Sequence, residues 1–186
     1  SSLVSRLVNG YLNYRFSTTR QNSISFGSSL LTCLPPLRMK LDIYGRNIPK
    51  KMCNSESRLL DVGCGNGEFL LRAKEMGIDV YGVEPDPVAA SNCQSLGLNV
   101  SLGNIDSFKF QRASFDYITL NHVIEHVPDP LNLLSNLHSL LKPNGHLWLG
   151  LPNPSALGVK VFGKAWKGFH PPFHLLIPSQ KILKRW

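Results

Sequence analysis

The residue types and spacings best suited to ligand chemistry fall in one short run, Asp61-Val62-Gly63-Cys64-Gly65-Asn66-Gly67-Glu68. A second acid, Glu84, follows seventeen positions after Gly67. Glycines let the backbone turn tightly and approach a ligand with no side chain between. A helix opening after such a turn offers free backbone N–H groups. Asp61, two positions before Gly63, is placed to hold the loop or to meet a cationic ligand group. Glu84 closes a short apolar run, where a carboxylate can accept both hydroxyls of a ribose.

Loop plus acid can serve two classes of nucleotide. A dinucleotide usually meets G-x-G-x-x-G and rests its pyrophosphate on the helix N-terminus. Here the spacing is G-x-G-x-G, and Asp61 and Glu68 put negative charge where a pyrophosphate would lie. That charge suits a phosphate-free nucleotide bearing an ammonium and a sulfonium, S-adenosylmethionine, better than a nicotinamide cofactor.

The elements that must position these residues can be read from the alternation of apolar runs, turn residues and helical stretches. Strands are expected at 58–62, 80–83, 98–102, 115–120 and 146–151. Helices are expected at 68–76, 87–96 and 131–141, the last carrying leucines at 131, 133, 134, 137, 140 and 141 and ending at Pro143-Asn144-Gly145. Strands alternating with helices of this length imply βαβ units and a parallel sheet. Ligands of such sheets bind beyond the carboxyl ends of the strands, where strand order reverses.

With these motifs in place, a family resemblance follows. Leu59-Leu60-Asp61-Val62-Gly63-Cys64-Gly65-Asn66-Gly67 resembles the first motif of class I S-adenosylmethionine-dependent methyltransferases, and Val80-Tyr81-Gly82-Val83-Glu84-Pro85-Asp86 the acidic motif after it. Residues 115–130, ending Glu125-His126-Val127-Pro128-Asp129-Pro130, resemble the fourth-strand motif. The run Leu140-Leu141-Lys142-Pro143-Asn144-Gly145-His146-Leu147 resembles the one leading into strand five. The Glu125–Pro130 run is similar to the branch containing ubiquinone-pathway O-methyltransferases. The fold so implied is a Rossmann-like three-layer α/β/α sandwich with a mostly parallel sheet. Since a full fold of this type carries two further strands, the chain is expected to be truncated after the fifth.

The resemblance also implies roles. Gly63, Cys64, Gly65 and Gly67 would line the methionyl part of the cofactor, with Asp61 near its amino group. Glu84 would take the ribose hydroxyls, with Pro85 and Asp86 close by, and Asn104 and Ile105 would flank the adenine. Asn121 and His122 would end the fourth strand beside the sulfonium. A sulfonium is already an activated methyl donor, so the protein mainly aligns the nucleophile and excludes water. For a hydroxyl acceptor a general base helps, and His122, Glu125 and His126 are the catalytic candidates. The segment Trp166–Leu175 resembles one crossing over the acceptor pocket, although packing alone also accounts for its aromatics.

Composition bounds the rest. At 186 residues, 42% hydrophobic and 17% charged, the chain suits one α/β domain. It divides into an N-terminal helical cap or leader (1–57), a nucleotide-binding core (58–152) and an acceptor-pocket segment (153–186). The net charge of +8 resolves into +6, −4 and +6 over 1–57, 58–159 and 160–186, so the basic charge flanks the chemistry. Four scattered cysteines suggest neither a zinc site nor a disulfide scaffold, and no metal is expected. No run is long enough for a membrane helix, which with reduced thiols points to the cytoplasm. The acid-free first 41 residues resemble a mitochondrial transit peptide, yet Leu3, Val4, Leu7, Val8, Tyr11 and Leu12 also suit an amphipathic helix packed on the domain. The expected partner is a small-molecule acceptor methylated at oxygen. A non-catalytic binding module and an RNA-modifying enzyme are the alternatives; against RNA, residues 121–124 read Asn-His-Val-Ile rather than Asn-Pro-Pro-aromatic.

Overall fold

The computed structural model describes residues 2–107 and 110–186. Its centre is a sheet of five parallel strands: β1 (Arg58–Val62), β2 (Asp79–Glu84), β3 (Asn99–Leu102), β4 (Phe115–Asn121) and β5 (Leu141–Gly150). Their order is β3-β2-β1-β4-β5. The chain winds outward from β1 to β3, returns past β1, and winds outward again through β4 and β5. Strand order therefore reverses between β1 and β4, directly beside the glycine loop.

Period-two alternation along the strands sends side chains to two separate cores. Leu60 and Val62 of β1, with Phe115, Ile118 and Leu120 of β4, face α6 (Pro130–Leu140) and pack on Leu133, Leu137 and Leu140. Leu59 and Tyr117 face the opposite layer, built from α4 (Glu68–Glu75) and α5 (Pro87–Ser95) through Phe69, Leu70, Ala73, Ala90 and Cys93. Sheet and helices thus make the three layers expected from the sequence, and all five strands run parallel.

The N-terminal segment joins the α4/α5 layer. In α1 (Leu3–Phe16), Ser2 caps the first turn by accepting from the Ser5 N–H at 3.2 Å. Tyr11, Leu12 and Phe16 then enter the same core as Leu59 and Tyr117. Two further helices not anticipated from the sequence, α2 (Phe26–Thr32) and α3 (Pro35–Tyr44), follow. The α1 and α3 helices are tied together at Asp42, which accepts from the Tyr11 hydroxyl at 2.8 Å and from Arg15 Nε at 3.0 Å. After β5 come α7 (Leu157–Phe162) and the short α8 (Gln180–Leu183).

Most boundaries fall within a residue or two of the sequence expectation, but the start of β5 lies five residues earlier. Helix α6 stops at Leu140 and β5 begins at Leu141, upstream of Pro143-Asn144-Gly145. The turn residues form a bulge within the strand: Phe115 pairs with Leu141, but Tyr117 pairs with His146. Lys142 Nζ donates to Asp116 at 2.7 Å and pins that bulge to β4, while Asn144 takes a left-handed φ of 63°. Among the described residues no helix is long and apolar enough to cross a membrane.

Candidate functional site

Two clefts open at the carboxyl ends of the strands, on either side of the point where strand order reverses. The first, of about 690 Å³, lies over β1, β2 and β3. Gly63, Glu84, Pro85, Asn104 and Ile105 line it on one side, His122 and His126 on the other. The second, of about 400 Å³, is walled by Tyr44, Arg46, Cys64, Phe69, Asn121 and Trp148. Nine of the site residues expected from the sequence therefore line one cleft or the other.

Glu84 is held by backbone alone. Its Oε2 accepts from the Gly65 N–H at 2.7 Å and its Oε1 from the Asp86 N–H at 3.0 Å. Both bonds fix the carboxylate at the cleft wall, and each oxygen keeps lone-pair capacity for a further donor. Asp86 itself caps α5, its Oδ1 accepting from the Val88 and Ala89 N–H groups at 2.7 and 3.1 Å. Asp86, expected near the ribose, is thus also the N-cap of α5.

The glycines separate into two kinds. At Gly65, with φ +54°, an added Cβ would meet nothing within 4 Å, so the backbone there opens onto free space. At Gly67, with φ +78°, a Cβ would come within 2.6 Å of Leu98 Cδ1 and 2.8 Å of Cys93 Sγ. Gly67 serves the packing of α4 against α5 and β3. Neither Gly65 nor Gly67 lines a cleft; Gly65 acts through its N–H on Glu84.

Asp61 is fully buried and also lines neither cleft. Its Oδ1 accepts from Thr119 Oγ1 at 2.7 Å and from Arg46 Nη1, and its Oδ2 has no partner among the described residues. Burial pushes its carboxyl up to about 6, against the opposing pull of the Arg46 charge and the Thr119 hydrogen bond. The route from Asp61 to a ligand therefore runs through Arg46. That guanidinium lies 3.8 Å over the Phe69 ring and 5.4 Å from the centroid of Trp148, and faces the second cleft. Arg46 and Asn47 both have left-handed φ, 46° and 55°, and the Arg46 carbonyl accepts from the Tyr117 hydroxyl at 2.9 Å. Nothing in the motifs marks Arg46. The one available signal is the turn-forming Gly45-Arg46-Asn47 after α3.

The fourth strand ends in a histidine–carboxylate pair. His122 has a φ of 55°, and its N–H is held by the Gly150 carbonyl at 2.8 Å. Its ring Nδ1 lies 3.0 Å from Oε1 of Glu125, a carboxylate that is 0% exposed, while the imidazole is 59% exposed. A neutral ring in this pair keeps its proton on Nδ1 and its lone pair on the outward Nε2. His126, one turn on, lines the first cleft and donates from Nδ1 to the Phe173 carbonyl at 2.9 Å. The Trp166–Leu175 segment is docked on this turn, the Leu175 N–H donating to the Glu125 carbonyl at 2.8 Å, and it lines neither cleft.

Residues 38–186 match the model of a methyltransferase-domain family. Among curated proteins, a ubiquinone biosynthesis O-methyltransferase of Xanthomonas campestris is 33% identical over 139 residues, covering 67% of this chain and 58% of that protein. One from Histophilus somni is 34% identical over 147 residues, covering 69% and 62%. The chain thus spans about three fifths of the length of these relatives. A solved SAM-dependent methyltransferase from Archaeoglobus fulgidus is 27% identical and superposes with a TM-score of 0.62, over 80% of this chain and 66% of that one. With its motifs on the strand ends where the two clefts open, the chain belongs to the methyltransferase-domain family, on a Rossmann-like fold.

Proposed function

We propose that this domain binds S-adenosylmethionine in the first cleft and directs its methyl group to an oxygen of a small-molecule acceptor. The observation that carries the reading is Glu84: a carboxylate aimed into a cleft at the sheet's reversal point, with acids rather than cations around it. The relatives named above act in ubiquinone biosynthesis, and a small acceptor is in keeping with them.

The residues present fit that cofactor. Glu84 would accept from the ribose hydroxyls, Asn104 and Ile105 would bound the base, and Gly63, packed under Val123, would lie at the cleft wall beside the methionyl chain. Arg46, facing the second cleft, suits a carboxylate. When bound, the cofactor supplies a methyl group already activated by its sulfonium. The protein's own work is then alignment, exclusion of water and removal of one proton. For the proton, His122 has the arrangement of a general base: Nδ1 is held by a buried carboxylate and Nε2 is turned outward. Asn121, beside it at the end of β4, lines the second cleft.

Calorimetry tests the cofactor: S-adenosylmethionine should bind and NAD should not, and the reverse result defeats the reading. Transfer of labelled methyl to a panel of phenols and catechols tests the chemistry. His122→Asn should lower kcat by about 10² to 10⁴, far more than it weakens cofactor binding. Cofactor binding without transfer to any acceptor would instead mark a binding module.

A further inference from the structure

Beside the first cleft, two separate segments bring a carboxylate and two imidazoles together. Glu125 and His126 come from the turn after β4, His174 from the segment docked upon it. Each can present a ligand atom, and the three atoms lie within 4.8 Å of one another. We infer that Glu125, His126 and His174 form a binding site for a divalent transition cation of the Zn²⁺ type.

Three observations support the assignment. Glu125 is fully buried, yet its Oε2 has no hydrogen-bond partner among the described residues, because only Oε1 is taken, by His122. A desolvated carboxylate oxygen without a donor is costly, and a cation is the partner that satisfies it most fully. The tautomers of both histidines are also set. His126 Nδ1 lies 2.9 Å from the Phe173 carbonyl and His174 Nδ1 2.9 Å from the Gly168 carbonyl. A carbonyl only accepts, so each Nδ1 carries the proton and each Nε2 keeps its lone pair. Metal-binding histidines have this arrangement, one nitrogen donating to a carbonyl and the other on the metal. Third, the two rings already meet edge to face, 4.8 Å between centroids.

Zinc bonds of about 2.0–2.1 Å in a tetrahedron place ligand atoms about 3.4 Å apart. The cluster must therefore close somewhat on binding, and exposed His126 and half-buried His174 have room to turn. Two imidazoles and one carboxylate select Zn²⁺, Co²⁺ or Ni²⁺ over Mg²⁺, which prefers an all-oxygen shell. Three protein ligands leave a fourth position for water or a substrate oxygen, and His126 places that position next to the cleft. One carboxylate would then serve two groups, Oε1 orienting His122 and Oε2 the metal.

The test is metal binding itself, which does not depend on methyl transfer. The chain is first freed of the exposed thiol by Cys33→Ser and titrated with Zn²⁺, Co²⁺ and Mg²⁺ by calorimetry. One Zn²⁺ should bind with micromolar affinity or better and raise the unfolding temperature. Bound Co²⁺ should show four-coordinate visible bands without a thiolate band. His126→Ala and His174→Ala should each weaken binding at least about tenfold, and His138→Ala on α6 should not. His126 is exposed, so its variant reports even where a change at Glu125 disturbs folding. Absence of binding at millimolar Zn²⁺, or binding indifferent to both histidine variants, overturns the site; equal affinity for Mg²⁺ overturns the class of metal.

Discussion

Glu84 ends β2 and Asp61 lies one residue short of the end of the neighbouring β1, yet they are held in different ways. Glu84 rests on two backbone N–H groups, from Gly65 and Asp86, and lines the first cleft. Asp61 is gripped by two side chains, Thr119 and Arg46, and is sealed from both clefts. A carboxylate fixed by backbone leaves its outer lone pairs for a ligand. One fixed by a guanidinium passes the task outward, and Arg46 becomes the group that faces the second cleft. Two carboxylates that look alike in sequence thus become part of a cleft wall and a foundation beneath it.

That contrast can be broken at Arg46. Arg46→Ala leaves Asp61 buried without its counter-charge, and stability should fall by about 3–4 kcal/mol at pH 8. The loss should shrink at pH 5, where Asp61 takes up a proton; a pH-independent loss would show that the pair is not the cause. Chemical denaturation at the two pH values measures it.

The next effect is the pH dependence of the wild-type chain. The Asp61 carboxyl, raised by burial to about 6, binds its proton more tightly folded than unfolded. Its contribution to stability is therefore fully present below about pH 4 and is lost as pH rises through about 6, by on the order of 3 kcal/mol. Denaturant midpoints from pH 4 to 8 should show that decline, and Asp61→Asn should flatten it.

At Glu84 the expected loss is in binding. Glu84→Gln replaces an acceptor by an amide that must turn an N–H₂ toward one of the two backbone donors. Affinity for S-adenosylmethionine should drop about 100-fold, or about 2.7 kcal/mol, with a smaller change in stability. A large loss of stability with intact affinity would exchange the roles assigned to the two acids. Smallest is Gly65→Ala, where the left-handed φ costs about 1–2 kcal/mol of folding and no atom stands in the way. Gly67→Ala, which meets Leu98 and Cys93, should be the more destabilising of the pair in a thermal melt.

Local sequence carried the core of the fold because each signal there acts over a few residues. Strand β1 at Arg58–Val62 is the expected one, and α4 and α5 begin at the expected residues. Glycine turns, the Asp86 cap and apolar periodicity need no distant partner to exert their preference. The Pro143-Asn144-Gly145 turn was legible as a turn, but its absorption into β5 depends on pairing with Phe115 and Tyr117 and on Lys142 reaching Asp116. The N-terminal helices were only half legible. The apolar face of α1 shows in the sequence, while α2, α3 and the core that α1 shares with Leu59 and Tyr117 do not.

The candidate site divides along the same line. By itself the sequence determined the glycine loop, the acid at 84 and the histidine–glutamate run after β4, since those groups are set by strand ends and by spacings of a few residues. Only the tertiary structure decided that Arg46 would meet Asp61 across fifteen residues, that Trp148 and Phe69 would flank its guanidinium, and that His174 would come to rest against His126. Burial is what made those choices. A charge or polar oxygen removed from water must find its partner wherever the folded chain brings one, and sequence separation does not enter that requirement.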